Sequence, residues 1–220
     1  MLAVKLPPSV QRFREDYRTN VIGRSYNGRL HLVTTLTLTG FVVVYMLATL
    51  ENVKTLEWLT LPLAFTVANF VEYVAHRFPM HRPLPGLKLL YKRHTLSHHH
   101  FYTHEAMEAE SARDFHMILF PPAVLVFFLI LLDAPMALAT YALFGANVMR
   151  LFVVMTVGYF MSYELLHTIY HLSPQHWAAR LPLMQRLRRL HQSHHDLALM
   201  GRYNYNITFP MFDWVFGTHK

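Results

Sequence analysis

Four long apolar runs divide this chain, with polar and basic stretches between them. Residues 30–50 and 56–75 are apolar around a short polar turn at Glu51–Thr55, and residues 117–132 and 136–162 repeat the arrangement around Asp133–Pro135. About 20 apolar residues in a helix span a bilayer core. The pattern therefore predicts an all-α integral membrane protein with about four transmembrane helices in two hairpins, since turns this short join antiparallel neighbours. The third run is the shortest and carries Pro121-Pro122, so its insertion is expected to be the shallowest. The fourth run continues without proline to residue 171. A helix over 136–171 is about 54 Å long at 1.5 Å per residue, against a core of about 30 Å. Its last turns, with Tyr163, Glu164, His167 and His171, are thus expected to project beyond the membrane. The second crossing ends in the same way at His76, with Pro79 stopping the helix.

Composition agrees with this picture. The 220 residues are 53% hydrophobic and 15% charged, well below the quarter or so of charged residues in a soluble domain. Cysteine is absent, which excludes disulfides, thiolate metal sites, iron–sulfur clusters and cysteine nucleophiles. The basic, polar beginning has no apolar core of a signal peptide, so no cleaved leader is expected. The net charge of +7 reports topology. Of 20 Lys and Arg, all but Lys54 and Arg150 lie before residue 30, within 76–116, or after 163. By the positive-inside rule that side is cytoplasmic. No basic helix or nucleic-acid fold signature accompanies the charge, and no nucleic acid is expected as a partner.

One domain is expected over 1–220. It comprises a cytoplasmic segment (1–29), a first hairpin (30–75), a histidine-bearing stretch (76–116), a second hairpin (117–162) and a second histidine-bearing stretch (163–220).

Ten of the 16 histidines fall in those two stretches as four clusters: His76 and His81; His94, His98 and His99; His167 and His171; His191, His194 and His195. Neutral imidazole is a common ligand for transition metals, and ten exceed what one ion can use. His167 and His171 share a helix face at i, i+4, as do His94 and His98, and His191 with His194 and His195. Side chains so placed can converge on ions held between helices. Nitrogen ligands suit iron, zinc, copper and nickel alike. Glu72, Glu164, Asp114 and Asp196 are candidates for orienting imidazole N–H groups.

These motifs resemble the fatty acid hydroxylase/sterol desaturase superfamily of integral membrane oxygenases. The order H-x4-H, H-x3-HH, H-x3-H, H-x2-HH is similar to its histidine boxes. Phe120-Pro121-Pro122 after an acidic, arginine-containing stretch (Glu108, Glu110, Arg113, Asp114), the Tyr163–His171 segment and the closing NITFPMFDWVFGT (206–218) are similar to the fatty acid 2-hydroxylase branch. The resemblance covers about 76–218. It implies two metal ions, expected to be iron with zinc possible in purified material, held by the ten histidines. It implies an O2-dependent attack on a C–H bond of a fatty-acyl or other lipid substrate. It brings no cytochrome b5 domain, so electrons are expected from a separate donor, of cytochrome b5 or ferredoxin type with its reductase. The histidines would face the cytoplasm from the bacterial inner membrane or the endoplasmic reticulum. The second box departs from the H-x2-HH common in the family by one residue, and His100 stands as an alternative to His98 or His99.

Two other functions share parts of this pattern. A desaturase or a sterol or carotenoid oxidase uses the same scaffold and differs in pocket shape. A metal-binding or metal-transport membrane protein needs ionisable residues inside the crossings, where this chain offers little besides Arg150 and Glu72. His104, His116 and His176 are expected to face water or support ligands. His31 and His219 are expected at the interface and in solvent. The aromatic residues Phe209, Phe212, Trp214 and Phe216 are expected to anchor the tail at the membrane interface.

Overall fold

The computed structural model describes residues 6–220, and residues 1–5 of the N-terminal segment lie outside the described residues. Among the described residues the chain forms helices and loops without a strand; one isolated bridge joins Thr103 and Ala106. The helices are α1 (Pro8–Asn20), α2 (Gly28–Ala48), α3 (Thr60–Ala75), α4 (Lys88–Tyr91), α5 (His99–Phe101), α6 (Phe115–Ile118), α7 (Pro122–Phe127), α8 (Ala134–Phe144), α9 (Ala146–Tyr170), α10 (Pro182–His194) and α11 (Met211–Val215).

Four stretches are long and apolar enough to cross a membrane: Gly28–Ala48, Thr55–Met80, Ala112–Phe144 and Ala146–Tyr170. The multi-pass membrane architecture predicted from the apolar runs is therefore present. α9 is the central helix and packs against α2, α3 and α8. Ala64, Ala137, Phe152, Val153 and Val157 fill the space between α3, α8 and α9. The outer faces stay apolar, with Phe41 and Val44 on α2, Leu63 on α3 and Leu143 on α8 more than half exposed. In a bilayer such faces meet acyl chains while each helix satisfies its own backbone.

The reversal predicted at Asp133–Pro135 does not occur. Pro135 sits at the start of α8, and the π-helical turn Phe128–Asp133 just before it leads α7 straight into α8. The chain turns instead at Gly145, whose φ of +89° with ψ of −179° is open almost only to glycine. The fourth crossing is accordingly the 25 residues of α9, about 38 Å long, which still exceeds the core. Arg150, read above as lying within a crossing, falls near the start of α9. Its Nη1 is 3.5 Å from Asn147 Oδ1, and Asn147 Nδ2 donates to Glu51 O at 2.7 Å. That end of the bundle joins α8 to α9 and approaches the Glu51 turn. The opposite end gathers the start of α2, the end of α3, the start of α7 and the end of α9.

Two contacts close the histidine-bearing end. Gly28, the first residue of α2, lies so near the 112–115 segment that a Cβ would come 1.8 Å from Ala112 O. α1 packs across the same region, with Tyr17 and Ile22 in one apolar cluster with Phe101, Tyr102, Met117 and Ile118.

Candidate metal centre

The ten clustered histidines come together at that end as two groups of five. His76, His81, His94, His99 and His194 form the first group, and His98, His167, His171, His191 and His195 the second. In each group the ligand-type nitrogens all lie within 4.8 Å of one another, and every ring but the half-buried His81 is buried. His100 belongs to neither group: it is exposed, and its Nδ1 donates to Thr95 O at 3.1 Å.

Local helix geometry explains the division. Adjacent residues on a helix differ by about 100°, so the neighbours His98 and His99, and likewise His194 and His195, are sent to different groups. His167 with His171, and His191 with His195, keep the i, i+4 relation and stay together in the second group. His76 and His81, like His94 and His99, are five residues apart, a spacing that an α-helix splays. Both pairs adjoin π-helical turns, His76–Met80 and Lys92–His98, whose i to i+5 hydrogen bonding aligns residues five apart. The extra residue of the second box is absorbed in that wider turn. His94 and His98, expected to act together, instead stack at 5.3 Å and face different groups.

Five of the inner nitrogens are held free of protons. His98, His171 and His194 donate Nδ1–H to Met117 O, Met107 O and Tyr203 O at 3.0, 2.8 and 2.8 Å. His76 and His195 donate likewise to Tyr205 O and Tyr102 O. A carbonyl only accepts, so in these rings the proton sits on Nδ1 and Nε2 is a bare lone pair. Those Nε2 atoms nevertheless crowd together. His98 and His195, both bare at Nε2, are 3.2 Å apart, and the bare Nε2 atoms of His76 and His194 lie 2.8 Å from His94 Nε2 and 3.0 Å from His81 Nε2. Two lone pairs facing one another in buried space, as at His98 and His195, call for a cation between them, and the donor set fits a transition metal.

The imidazoles are also kept neutral. Burial, followed by the neighbouring imidazoles, pushes His81, His94 and His99 far below the ordinary 6.5. The same causes, burial first, lower His98, His171, His191 and His195. Burial takes His194 down to about 4, with its bond to Tyr203 O opposing. Neutral imidazole is the form that binds metal.

Residues 61–218 match the family model for fatty acid hydroxylases. The chain belongs to the fatty acid hydroxylase family. Its fold is similar to the solved hydroxylase domain of full-length Scs7p, with a TM-score of 0.59 and 17% identity over 99% of this chain and 95% of that one. No curated protein matches the sequence. The protein is thus a membrane-embedded lipid hydroxylase by family, and an oxidoreductase.

The four acids expected to orient the hydroxylase's histidines do not touch them. Glu72 holds the C-terminal segment against α3, accepting from Ile207 N, from Thr208 N at 3.2 Å and from Thr208 Oγ1 at 2.7 Å. Glu164 accepts from Phe120 N at 3.1 Å, Asp114 from Glu110 N at 2.9 Å, and Asp196 from Ala198 N at 2.9 Å. Backbone carbonyls take their place; these fix the tautomer without adding negative charge beside the nitrogens. The carbonyl-bearing segments have supports that the sequence did not announce. Asp213, fully buried, accepts from Tyr205 N at 2.9 Å and Asn206 N at 2.8 Å. Arg14 does the corresponding work for residues 101–108, as described below.

The other histidines lie outside both groups. His31 meets Tyr26 OH at 2.9 Å, His116 stacks edge-on to Tyr26, and His104 and His176 are exposed. Phe212 and Phe216 pack on Phe70 and Tyr73 of α3, leaving Phe209, Trp214 and Phe216 more than two-fifths exposed. The tail therefore covers the side of α3. A narrow, mainly apolar pocket of about 40 Å³ adjoins the groups. Met80, Met117, Leu119, Phe120, Val124 and Tyr163 line it beside His94, His98 and His167.

Proposed function

We propose that this protein is an O2-dependent di-iron hydroxylase acting on a C–H bond of a fatty-acyl or other lipid chain. The ten histidines are the ligands, five to each ion. The observation that carries the proposal is the pair of buried histidine sets, five of their Nε2 atoms bare by tautomer, adjoining an apolar pocket at one end of a membrane bundle. Attack on an unactivated C–H bond needs an oxidant that no side chain supplies, and a bound iron pair supplies it by activating O2.

The chain's own residues do the rest. The five carbonyls hold their protons on Nδ1 and so keep the inner nitrogens available. Burial of the rings keeps bulk water from the oxidant. The pocket offers an apolar wall to a methylene chain, and its lining at the start of α7 adjoins the third crossing, so the chain enters from the lipid side. Its free volume is close to the ~30 Å³ of a single water molecule. Entry therefore requires side chains to move, and Met80 and Met117 are flexible enough to yield.

Positive charge surrounds the histidine-bearing end, which supports a cytoplasmic orientation, in the bacterial inner membrane or endoplasmic reticulum. A separate donor of cytochrome b5 or ferredoxin type, with its reductase, delivers electrons there. Purified protein should hold about two ions per chain and consume O2 when given reductase and lipid. Lipids from cells carrying the intact gene should gain one oxygen. Loss of two hydrogens instead would make the enzyme a desaturase, and a chain without bound ions would sink the proposal.

A further inference from the structure

We infer that Arg14, on the N-terminal helix α1, is a positioning residue for the second histidine group. Its guanidinium is 1% exposed and uses all three nitrogens. Nε donates to Phe101 O at 2.7 Å, Nη2 to Ala106 O at 2.6 Å, and Nη1 to Glu108 O at 3.0 Å and Glu110 Oε1 at 2.9 Å. The same guanidinium lies 5.2 Å from the centre of the Tyr102 ring. Each carbonyl it grips is next in sequence to one that orients a ligand. Phe101 precedes Tyr102, whose carbonyl accepts from His195 Nδ1. Ala106 precedes Met107, whose carbonyl accepts from His171 Nδ1 at 2.8 Å. Ala109 N closes the arrangement by donating to His171 O at 2.8 Å.

The physical need is specific. A loop carbonyl aims at an imidazole N–H only if the peptide plane cannot rotate, and residues 102–110 form little regular structure of their own. A planar fork of five donors fixes several planes at once, as a lysine cannot. Neutralising the charge through Glu110, with Arg18 also bridging Glu110 and Asp114, makes burial of the guanidinium tolerable. Among the described residues, α1 makes no such hydrogen bond to the segment that carries Tyr203 and Tyr205, whose carbonyls orient the first group. Arg14 also lies outside the matched residues 61–218, so the inference assigns part of the metal site to a segment beyond the family pattern. It rests on the reading of the two groups as metal sites.

The test compares the wild type with Arg14→Ala and Arg14→Lys, purified in detergent and loaded with iron or cobalt. The readout is release of each ion to a chelator together with cobalt absorption bands. In wild type both ions should stay. In Arg14→Ala one ion should be released up to about 10-fold more readily, the low end of what losing an imidazole's own hydrogen-bond partner costs, because Arg14 acts one peptide further out, while the other behaves as in wild type. Arg14→Lys should lie between. Arg14 borders an open cleft of about 1050 Å³, so guanidinium ions at millimolar concentration should restore retention in Arg14→Ala. Equal retention of both ions in the Ala variant, or equal loss of both, would overturn the inference. If the Ala variant does not fold, Arg14→Lys decides in the same terms. A wild-type chain that holds no ion would instead overturn the metal reading itself, and this inference with it.

Discussion

The first histidine group takes two orienting carbonyls from the C-terminal segment, at Tyr203 and Tyr205, whereas the second takes two from the loop after α5, at Tyr102 and Met107. Behind the first stands an anion: Asp213 holds the amides of Tyr205 and Asn206. Behind the second stands a cation: Arg14 holds the carbonyls of Phe101 and Ala106. Asp213 lies within the residues matched by the family and Arg14 outside them. Both groups are made of five histidines, so any difference in their strength as metal sites should arise from these supports. A loop gripped through its carbonyls and one gripped through its amides are open to different substitutions, and each can be loosened without touching a histidine.

The strongest disturbance removes a ligand. His195→Ala should empty the second group and His76→Ala the first, each reducing bound metal from about two ions per chain toward one. Affinity at the affected group should fall by more than about 100-fold, since loss of an outer partner alone costs 10–100-fold. Metal analysis of the two variants checks this. A variant that loses both ions would mean that the groups are not separable.

Asp213→Asn is the counterpart of the Arg14 substitutions. The carboxylate accepts from two backbone N–H groups and from Thr218 Oγ1 at 2.7 Å. An amide side chain turns a donor toward at least one of these donors, leaving a buried N–H unpaired at about 1–3 kcal/mol. The Tyr205 carbonyl then loses its aim at His76. Retention of the first ion should fall about 10–100-fold with the second ion unaffected, measured by chelator release. Preferential loss of the second ion would reverse the assignment of supports.

Acid distinguishes the groups more gently. In the metal-free protein, His81, His94 and His99 of the first group and His98, His171, His191 and His195 of the second are depressed far below their ordinary 6.5. A histidine lowered in the folded state takes up its proton first in the unfolded chain. Its contribution to stability is therefore full above pH 6.5 and declines as pH falls, by up to about 1.4 kcal/mol per pH unit for each such ring. Metal-free protein should lose stability steeply from pH 6.5 downward. His194, at about 4, is the least depressed of these eight rings, so protonation should begin at His194 in the first group. Imidazole NMR signals during an acid titration check the order, and simultaneous protonation would remove this distinction.

What could be read in the sequence follows from which atoms do the work. Histidine side chains carry their chemistry in their identity and spacing, so all ten members of the two groups were evident, as were the crossings from their apolar runs. The orienting partners are peptide carbonyls, which every residue possesses, and no residue type marks Tyr102, Met107 or Tyr205 for that role. Acids were expected there because only side chains leave a trace in sequence. Arg14 looked like one more positive charge among the basic residues outside the crossings, because its contacts lie 87 to 96 residues away. Pro135 suggested a turn and Gly145 did not. A proline within a continuing helix and a proline between helices look alike until the helix on its N-terminal side is known to continue.

The smallest expected effect concerns the register of the second box. Alignment by sequence left His98, His99 and His100 as rivals, and an α-helical turn would favour partners four apart. The π-helical turn Lys92–His98 shifts the count, so His94 pairs with His99, Nε2 to Nε2 at 3.1 Å, while His98 crosses to the other group. His100 is left outside, bonded to Thr95 O. Thr95 Oγ1, which lies 3.2 Å from His81 Nδ1, is held separately by its own bond to Met80 O at 2.7 Å, so it does not depend on His100. His100→Ala should therefore change stability by no more than about 0.5 kcal/mol, as an exposed substitution does, and leave both ions bound. Loss of an ion in this variant, with His98→Ala or His99→Ala retaining two, would show that the extra residue is accommodated by an α-helical register and would exchange the membership of both groups.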